Sequence, residues 1–147
     1  MTTRMRCLLE RDFRILTICS VSVGAVSHGV TRHTVQTSPL WIAIVLSTRR
    51  SAWTKWAALP CFFVWLLLMT AIWLFLLGWA WIVSGNFSST EIAMTVIVGF
   101  ASGVGIVRAL GMKRGASGWW ATATVLLVAM LQMAAIRLSL LRAIAHR

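Results

Sequence analysis

The sequence predicts an all-α integral membrane protein, a helical bundle with four or, alternatively, five transmembrane helices. Of its 147 residues, 59% are hydrophobic and 12% are charged, whereas soluble domains are about 25% charged. Between Lys55 and Glu91 lie 35 residues without a charged side chain, and about 20 apolar residues suffice to cross a bilayer. No segment shows the alternating pattern of a strand, so we expect helices throughout.

The charged residues are concentrated at the ends of the apolar runs. Fourteen basic residues face three acidic ones, a formal net charge of +11. Thirteen of the basic residues, all but Arg32, form four clusters: Arg4, Arg6, Arg11 and Arg14; Arg49, Arg50 and Lys55; Arg108, Lys113 and Arg114; and Arg137, Arg142 and Arg147. Such clusters contact headgroups and set the orientation of spans. A nucleic-acid-binding domain would instead carry a continuous basic face, so we expect a lipid bilayer as partner and no nucleic acid.

The apolar runs divide the chain into three parts. Residues 1–14 form a basic head, residues 15–138 a single transmembrane domain and residues 139–147 a basic tail. The predicted spans cover residues 15–35, 57–83, 91–110 and 119–138. Residues 39–48 are too short to span alone, and we interpret them as a short or re-entrant helical piece. A short second span in this region is one alternative, and it would give five crossings. The end of a long first helix that is kinked near Pro39 is another.

Length and charge disagree about the number of crossings. Lys and Arg favour the cytoplasmic side of a membrane. Five crossings, with the head inside, place ten basic residues in the cytoplasm and four outside. Four crossings place seven in the cytoplasm and six outside, with Arg32 inside the predicted first span. Segment length favours four, and we give it priority because a short span leaves polar atoms in lipid. Short loops and basic flanks are typical of a bacterial inner-membrane protein.

The first apolar run has a second interpretation as a cleaved signal. Residues 1–27 have a basic start, an apolar core and a small-x-small sequence at Ala25-Val26-Ser27, as secretory signals do. Glu10 and Asp12 in the basic part argue against this interpretation.

Few polar side chains lie within or beside the predicted spans. His28, Arg32 and His33 are the main candidate functional cluster, because ionisable groups at membrane depth are costly. They would form a polar path or an anion site, or they would simply lie at the interface facing water. Glu91 fits an S-x-x-E capping box with Ser88, so we expect it to begin a helix and not to carry protons.

One face of the third predicted span carries only small residues. Thr95, Gly99 and Gly103 recur at four-residue spacing and include a GxxxG sequence. Small residues let two helix backbones approach closely in lipid. We therefore expect this face to pack against another helix, within the chain or in a membrane-protein partner or second copy.

The sequence contains no motif that indicates catalysis. It has no G-x-S-x-G, no HExxH and no phosphate-binding loop. Its three cysteines, Cys7, Cys19 and Cys61, are widely spaced and predict neither a disulfide framework nor a zinc site. We expect no catalytic residue, metal or cofactor. The leading hypothesis is an accessory or structural membrane component; the alternatives are a small oligomeric transporter or channel using His28, Arg32 and His33, and a haem- or quinone-linked subunit.

Overall fold

The computed structural model describes the backbone of residues 2–26, 29–49, 51–81, 87–112 and 118–141. Within these ranges the chain forms α-helices and no strand. The helices are α1 (Thr2–Val26), α2 (Val30–Thr48), α3 (Thr54–Leu76), α4 (Ser89–Gly111) and α5 (Trp119–Ser139). The predicted all-α class is therefore confirmed.

Three of the helices, α3, α4 and α5, are long and apolar enough to cross a membrane. This number is smaller than the four or five that the sequence analysis expected. The shortfall lies in α1 and α2, because α1 carries the charged head and the first half of α2 is rich in Thr, Ser and Gln. Both helices are long, 25 and 19 residues, but neither is uniformly apolar.

The predicted span at residues 15–35 is not one helix. Its first part belongs to α1, which already begins at Thr2 within the predicted head, and its last part belongs to α2. The predicted short piece at residues 39–48 is the second half of α2. Two local features, at Gly24 and at Pro39, explain why the helices divide near residue 26 and not near residue 39. Gly24 lets the start of α2 approach α1, since a Cβ there would lie 3.0 Å from Val30 Cα.

Pro39 does not end α2, although its ring removes a backbone donor and so frees the carbonyl of Val35. The hydroxyl of Ser38 donates to that carbonyl at 2.8 Å. A neighbouring Ser or Thr is a known way to satisfy a backbone group freed by proline in a membrane helix. α2 therefore continues through Pro39, although the lengths of the apolar runs predicted separate segments on either side of it.

The later boundaries lie closer to the prediction. α3 begins three residues before the predicted span and ends earlier than predicted, at Leu76, while α4 and α5 cover the predicted third and fourth spans. Residues 82–86, which include the end of the predicted span at residues 57–83, lie outside the described part of the chain.

Consecutive helices run in opposite directions. α1 packs against α2 and α4, α3 against α4, α5 and α2, and α5 against α2. One end of the bundle, which we call the Lys55 end, holds the start of α3 and the end of α4. The opposite end, here the His33 end, holds the end of α1 and the starts of α2 and α4. Large apolar side chains fill the interior between them, among them Leu9, Phe13, Leu16, Leu40, Phe62 and Trp65.

Candidate functional site

A buried ion pair joins α1 to α4 at the Lys55 end. Nη1 of Arg108 lies 2.5 Å from both carboxylate oxygens of Asp12 and also donates to the carbonyl of Leu8 at 3.2 Å. The Asp12 side chain is 7% exposed and that of Arg108 28%. A buried carboxylate that lost this partner would be left uncompensated, which is strongly destabilising. The pair therefore holds two helices that are distant in the sequence.

Lys55 makes a second link at the same end. Its Nζ donates to the carbonyl oxygens of Leu110 and Met112, each at 3.1 Å, and it lies 5.5 Å from the centroid of the Trp56 ring. The last carbonyls of a helix have no intrahelical donors, and a cation there also complements the helix dipole. Lys55 thus caps the end of α4 from the first turn of α3.

Two aromatic rings stack inside the bundle just beyond these charges. Phe13 on α1 and Phe62 on α3 have ring centroids 4.3 Å apart and an interplanar angle of 22°, and both residues are fully buried. Gly105 on α4 faces the Phe62 ring, since a Cβ there would lie 2.6 Å from Phe62 Cζ. The stack separates the Asp12–Arg108 pair from the middle of the bundle.

A polar link joins α2 to α5. Gln132 Nε2 donates to the carbonyl of Gln36 at 2.9 Å, and Gln36 Nε2 donates to Ser139 Oγ at 3.0 Å. Gln132 and Ser139 are fully buried. Hydrogen bonds between side chains of neighbouring helices are a main contribution to association in lipid, so Gln132 belongs to a helix contact.

The predicted cluster of His28, Arg32 and His33 is only partly visible, because His28 lies outside the described residues. Arg32 and His33 are both half-buried in the first turns of α2. His33 packs against Gly24, where a Cβ would lie 3.1 Å from His33 Cβ. Arg32 Nε and His33 Nδ1 are buried without a hydrogen-bond partner within the described ranges.

Ser88 and Glu91 form a complete capping box at the start of α4. Ser88 Oγ accepts from the backbone N–H of Glu91 at 3.3 Å, and Glu91 Oε2 accepts from the backbone N–H of Ser88 at 2.7 Å. The Ser88 hydroxyl also donates to that carboxylate at 2.8 Å. The Glu91 carboxylate is therefore engaged at the helix start.

The small residues on one face of α4 differ in how closely other residues pack against them. Thr95 is buried, and its hydroxyl donates to the carbonyl of Ile92. A Cβ on Gly99 would lie 3.6 Å from Met69 Cβ on α3, an ordinary contact, whereas nothing lies within 4 Å of a Cβ on Gly103. The close approach of α3 and α4 occurs at Gly105, two residues beyond the predicted GxxxG.

Several contacts were not predicted from the sequence. Asp12 was counted only as part of the head, Arg108 and Lys55 only as flanking charges, and Gly105 was not considered. A weak signal existed for two of them, since Lys55 and Arg108 border long apolar runs and would each need a partner if drawn inward. Nothing in the neighbouring sequence identifies Asp12 as the partner of Arg108, because Asp12 and Arg108 are 96 positions apart.

The described residues contain no group of three His, Cys, Asp or Glu side chains that would hold a metal ion. Cys7, Cys19 and Cys61 are free thiols. Comparison with known proteins found no matching family model, no matching curated protein and no matching solved structure.

Proposed function

We propose that this chain is a non-catalytic accessory or structural component of a membrane, a bundle that crosses the bilayer five times and packs against a partner protein or a second copy. The main support for the proposal is that the buried charged side chains bind to neighbouring helices. Asp12, Arg108 and Lys55 all join helices to one another. A transporter or enzyme of this size would need such groups exposed to a substrate path.

The aromatic stack supports the same interpretation. Between the Asp12–Arg108 pair and the polar residues in the middle of the bundle, the Phe13 and Phe62 rings fill the space next to Gly105. Interiors packed in this way leave little room for water. A continuous polar route from one end of the bundle to the other is therefore interrupted by two buried rings.

Five crossings, the alternative to the four favoured by length, agree with the course of α1 and α2. The exposed hydroxyls of Thr34 and Ser38 on α2 donate to carbonyls of their own helix, at 2.8 Å each, so they do not need water. Arg11 and Arg14 on α1 are exposed and long enough to reach headgroups. Asp12 is neutralised by Arg108.

Tryptophans mark the two interfaces of such a bundle. Trp119 and Trp120 are exposed at the Lys55 end, and Trp79 and Trp81 are exposed beyond the other end of α3. Trp is enriched at both surfaces of a membrane. A helix of 23 residues such as α3 is about 34 Å long, which matches a hydrocarbon core of roughly 30 Å.

The Lys55 end faces the cytoplasm in this proposal. Among the residues whose side chains the structure describes, five Lys and Arg residues lie toward this end (Arg11, Arg14, Arg49, Lys55 and Arg108) and two toward the other (Arg32 and Arg137), and positive charge favours the cytoplasmic side. We place the protein in a bacterial inner membrane on the same grounds. The partner-binding surface is the outer face of α4, where Gly103 is open and Phe100 is 76% exposed.

Two experiments test the proposal. A reporter fused after Arg147, compared with one fused before Met1, gives the sides of the two ends; opposite sides support five crossings, and the same side requires an even number. A photoreactive amino acid at position 100, with one at the exposed position 130 on α5 as control, tests the partner. We expect crosslinked protein from position 100 and only lipid from position 130. Lipid alone from both positions would contradict the accessory role.

A transporter or channel is the second candidate, because Arg32 Nε and His33 Nδ1 are buried without a partner in the described part of the chain. Such groups suit an anion at the His33 end. Reconstituted vesicles would then show flux that His33→Asn and Arg32→Gln abolish. Absence of flux above protein-free vesicles would remove this candidate.

A further inference from the structure

Seven buried side-chain nitrogen or oxygen atoms have no hydrogen-bond partner among the residues that the structure describes, and three of them belong to α1, α3 and α4. They are Ser20 Oγ on α1, Trp65 Nε1 on α3 and Ser102 Oγ on α4. Ser20 and Trp65 are each 4% exposed, and Ser102 is 0% exposed. A buried polar group without a partner costs about 1–3 kcal/mol, and in native structures such groups are rare. Three of them require an explanation.

The lack of a partner is unusual for the two serines. In helices, Ser and Thr hydroxyls commonly donate to a carbonyl one turn earlier. Thr17, Thr70 and Thr124 do so in this protein, at 2.9, 2.8 and 2.9 Å. Ser20 and Ser102 do not, although both are inside regular helices. Their hydroxyls are therefore available to another acceptor or donor.

Trp65 and Ser102 lie at the same level of the α3–α4 interface. Two contacts fix the register of these antiparallel helices: Phe62 faces Gly105, and Met69 faces Gly99. Trp65 follows Phe62 by three residues, and Ser102 precedes Gly105 by three. Residues three or four apart share a helix face, so both side chains lie between the two contacts, about 4.5 Å beyond the Phe62–Gly105 contact.

Ser20 lies on α1, the third helix that borders the same region. It follows Phe13 by seven residues, two helical turns, and so lies on the face of α1 that stacks on Phe62. This places its Cα about 10.5 Å beyond Phe13. Side chains in a helix point toward its start, which is the Lys55 end for α1 and the His33 end for α4, so the hydroxyls of Ser20 and Ser102 are directed toward each other along the bundle. The Phe13–Phe62 stack closes this region on the Lys55 side.

We propose that Ser20, Trp65 and Ser102 form a binding site for ordered water in the core of the bundle. The indole N–H only donates, whereas each hydroxyl both donates and accepts. A water molecule that accepts from Trp65 and bonds to both hydroxyls makes three hydrogen bonds, the usual number for a buried water. This site links three helices without any direct side-chain bond between them, and it supports their packing in the middle of the membrane.

The site can be observed through the indole proton of Trp65. The full chain is labelled with ¹⁵N-tryptophan and studied in lipid nanodiscs, and the Trp65→Phe variant identifies the Trp65 resonance among the nine. Should that variant fail to fold, Phe substitution of the other eight tryptophans, one at a time, identifies the Trp65 resonance by elimination. We expect a dipolar cross-peak between this proton and water, together with exchange into D₂O slower than that of the exposed Trp119 by roughly tenfold or more.

Ser102→Ala removes one of the water's partners, so we expect a weaker water cross-peak and a shift of the Trp65 resonance toward lower frequency. Thr70→Ala is the matched control, because Thr70 lies on the exposed side of α3 and its hydroxyl is already bonded to Leu66. It should leave the Trp65 signals unchanged. A folded protein in which Trp65 shows no water cross-peak would overturn the proposal, as would D₂O exchange as fast as that of Trp119.

Discussion

Lys55, at the start of α3, donates from Nζ to the carbonyl oxygen of Leu110 at the end of α4, 3.1 Å away. The same ammonium group bonds to the carbonyl of Met112. The side chain of one helix thus supplies the donors that the end of the next helix lacks. Lys55 is only 7% exposed, so its charge is stabilised by the carbonyl groups at the end of α4. The end of α4 in turn depends on Lys55 for hydrogen-bond donors.

Replacement of Lys55 by Met should therefore destabilise the bundle. The carbonyls of Leu110 and Met112 lose charged hydrogen bonds, each of which contributes roughly 1.5–3 kcal/mol. We expect a loss of about 3–6 kcal/mol in the free energy of unfolding, and faster hydrogen exchange in the last turn of α4. Denaturation in detergent measures the first and amide exchange the second. Arg49→Met, an exposed cation at the end of α2, is the control and should have little effect on either.

The Asp12–Arg108 pair should show strong coupling in a double-mutant cycle. Asp12→Ala or Arg108→Ala alone leaves one charge without its partner, at a cost of about 3–5 kcal/mol. The double variant should cost less than the sum of the two, because it leaves no uncompensated charge. Unfolding free energies of the four proteins measure the coupling. Additive costs would mean that the pair does not link α1 to α4.

A second ion pair on α1 provides the comparison for this cycle. Arg14 and Glu10 are also in contact, at 2.6 Å, but their side chains are 66% and 22% exposed. Exposed pairs contribute about 0–1 kcal/mol. The same cycle applied to Glu10→Ala and Arg14→Ala should therefore give a coupling energy several times smaller.

Two glycines of α4 should respond in opposite ways to alanine. A Cβ at position 105 meets the fully buried Phe62 ring, so Gly105→Ala should destabilise the protein by about 1–3 kcal/mol. A Cβ at position 103 meets nothing within 4 Å, and Ala favours a helix over Gly by about 1 kcal/mol. Gly103→Ala should therefore be neutral or stabilising. Thermal unfolding of both variants in the same detergent provides the measurement.

The Gly105 effect should be reversed in part by a smaller partner. Adding Phe62→Leu to Gly105→Ala makes room for the new methyl group, so the double variant should be more stable than expected from adding the two single effects. If Gly105→Ala and Gly103→Ala behave alike, then α3 and α4 do not approach at the level of Phe62.

The start of α4 should depend on Ser88 more than on the charge of Glu91. Ser88→Ala removes the N-cap acceptor and should cost about 1 kcal/mol. Gln is also found at the last position of a capping box, so Glu91→Gln should have a small effect on stability. Amide exchange in the first turn of α4 measures both, with the exposed Thr90→Ala as control. Loss of a vesicle flux in Glu91→Gln would instead favour the transporter candidate.

Much of the fold follows from local features of the sequence. The apolar runs of α3, α4 and α5, and the capping box at Ser88 and Glu91, are each contained in about 20 neighbouring residues. Helix formation depends on apolar length and end groups, both of which are visible at that range. The division at residues 26–30 was not predicted, because the polar side chains of α2 bond to their own helix and their burial depends on neighbours.

By itself, then, the sequence determined an all-helical chain with basic flanks and predicted four or five spans, of which three coincide with helices that are long and apolar enough to cross a membrane. Only the tertiary structure decided how the charges at those flanks are used. Whether Lys55, Arg108 and Asp12 face headgroups or one another depends on which helices lie side by side, since an ion pair or a helix cap needs atoms within about 3 Å. Asp12 and Arg108 are 96 positions apart, and packing of α1 against α4 brings them together.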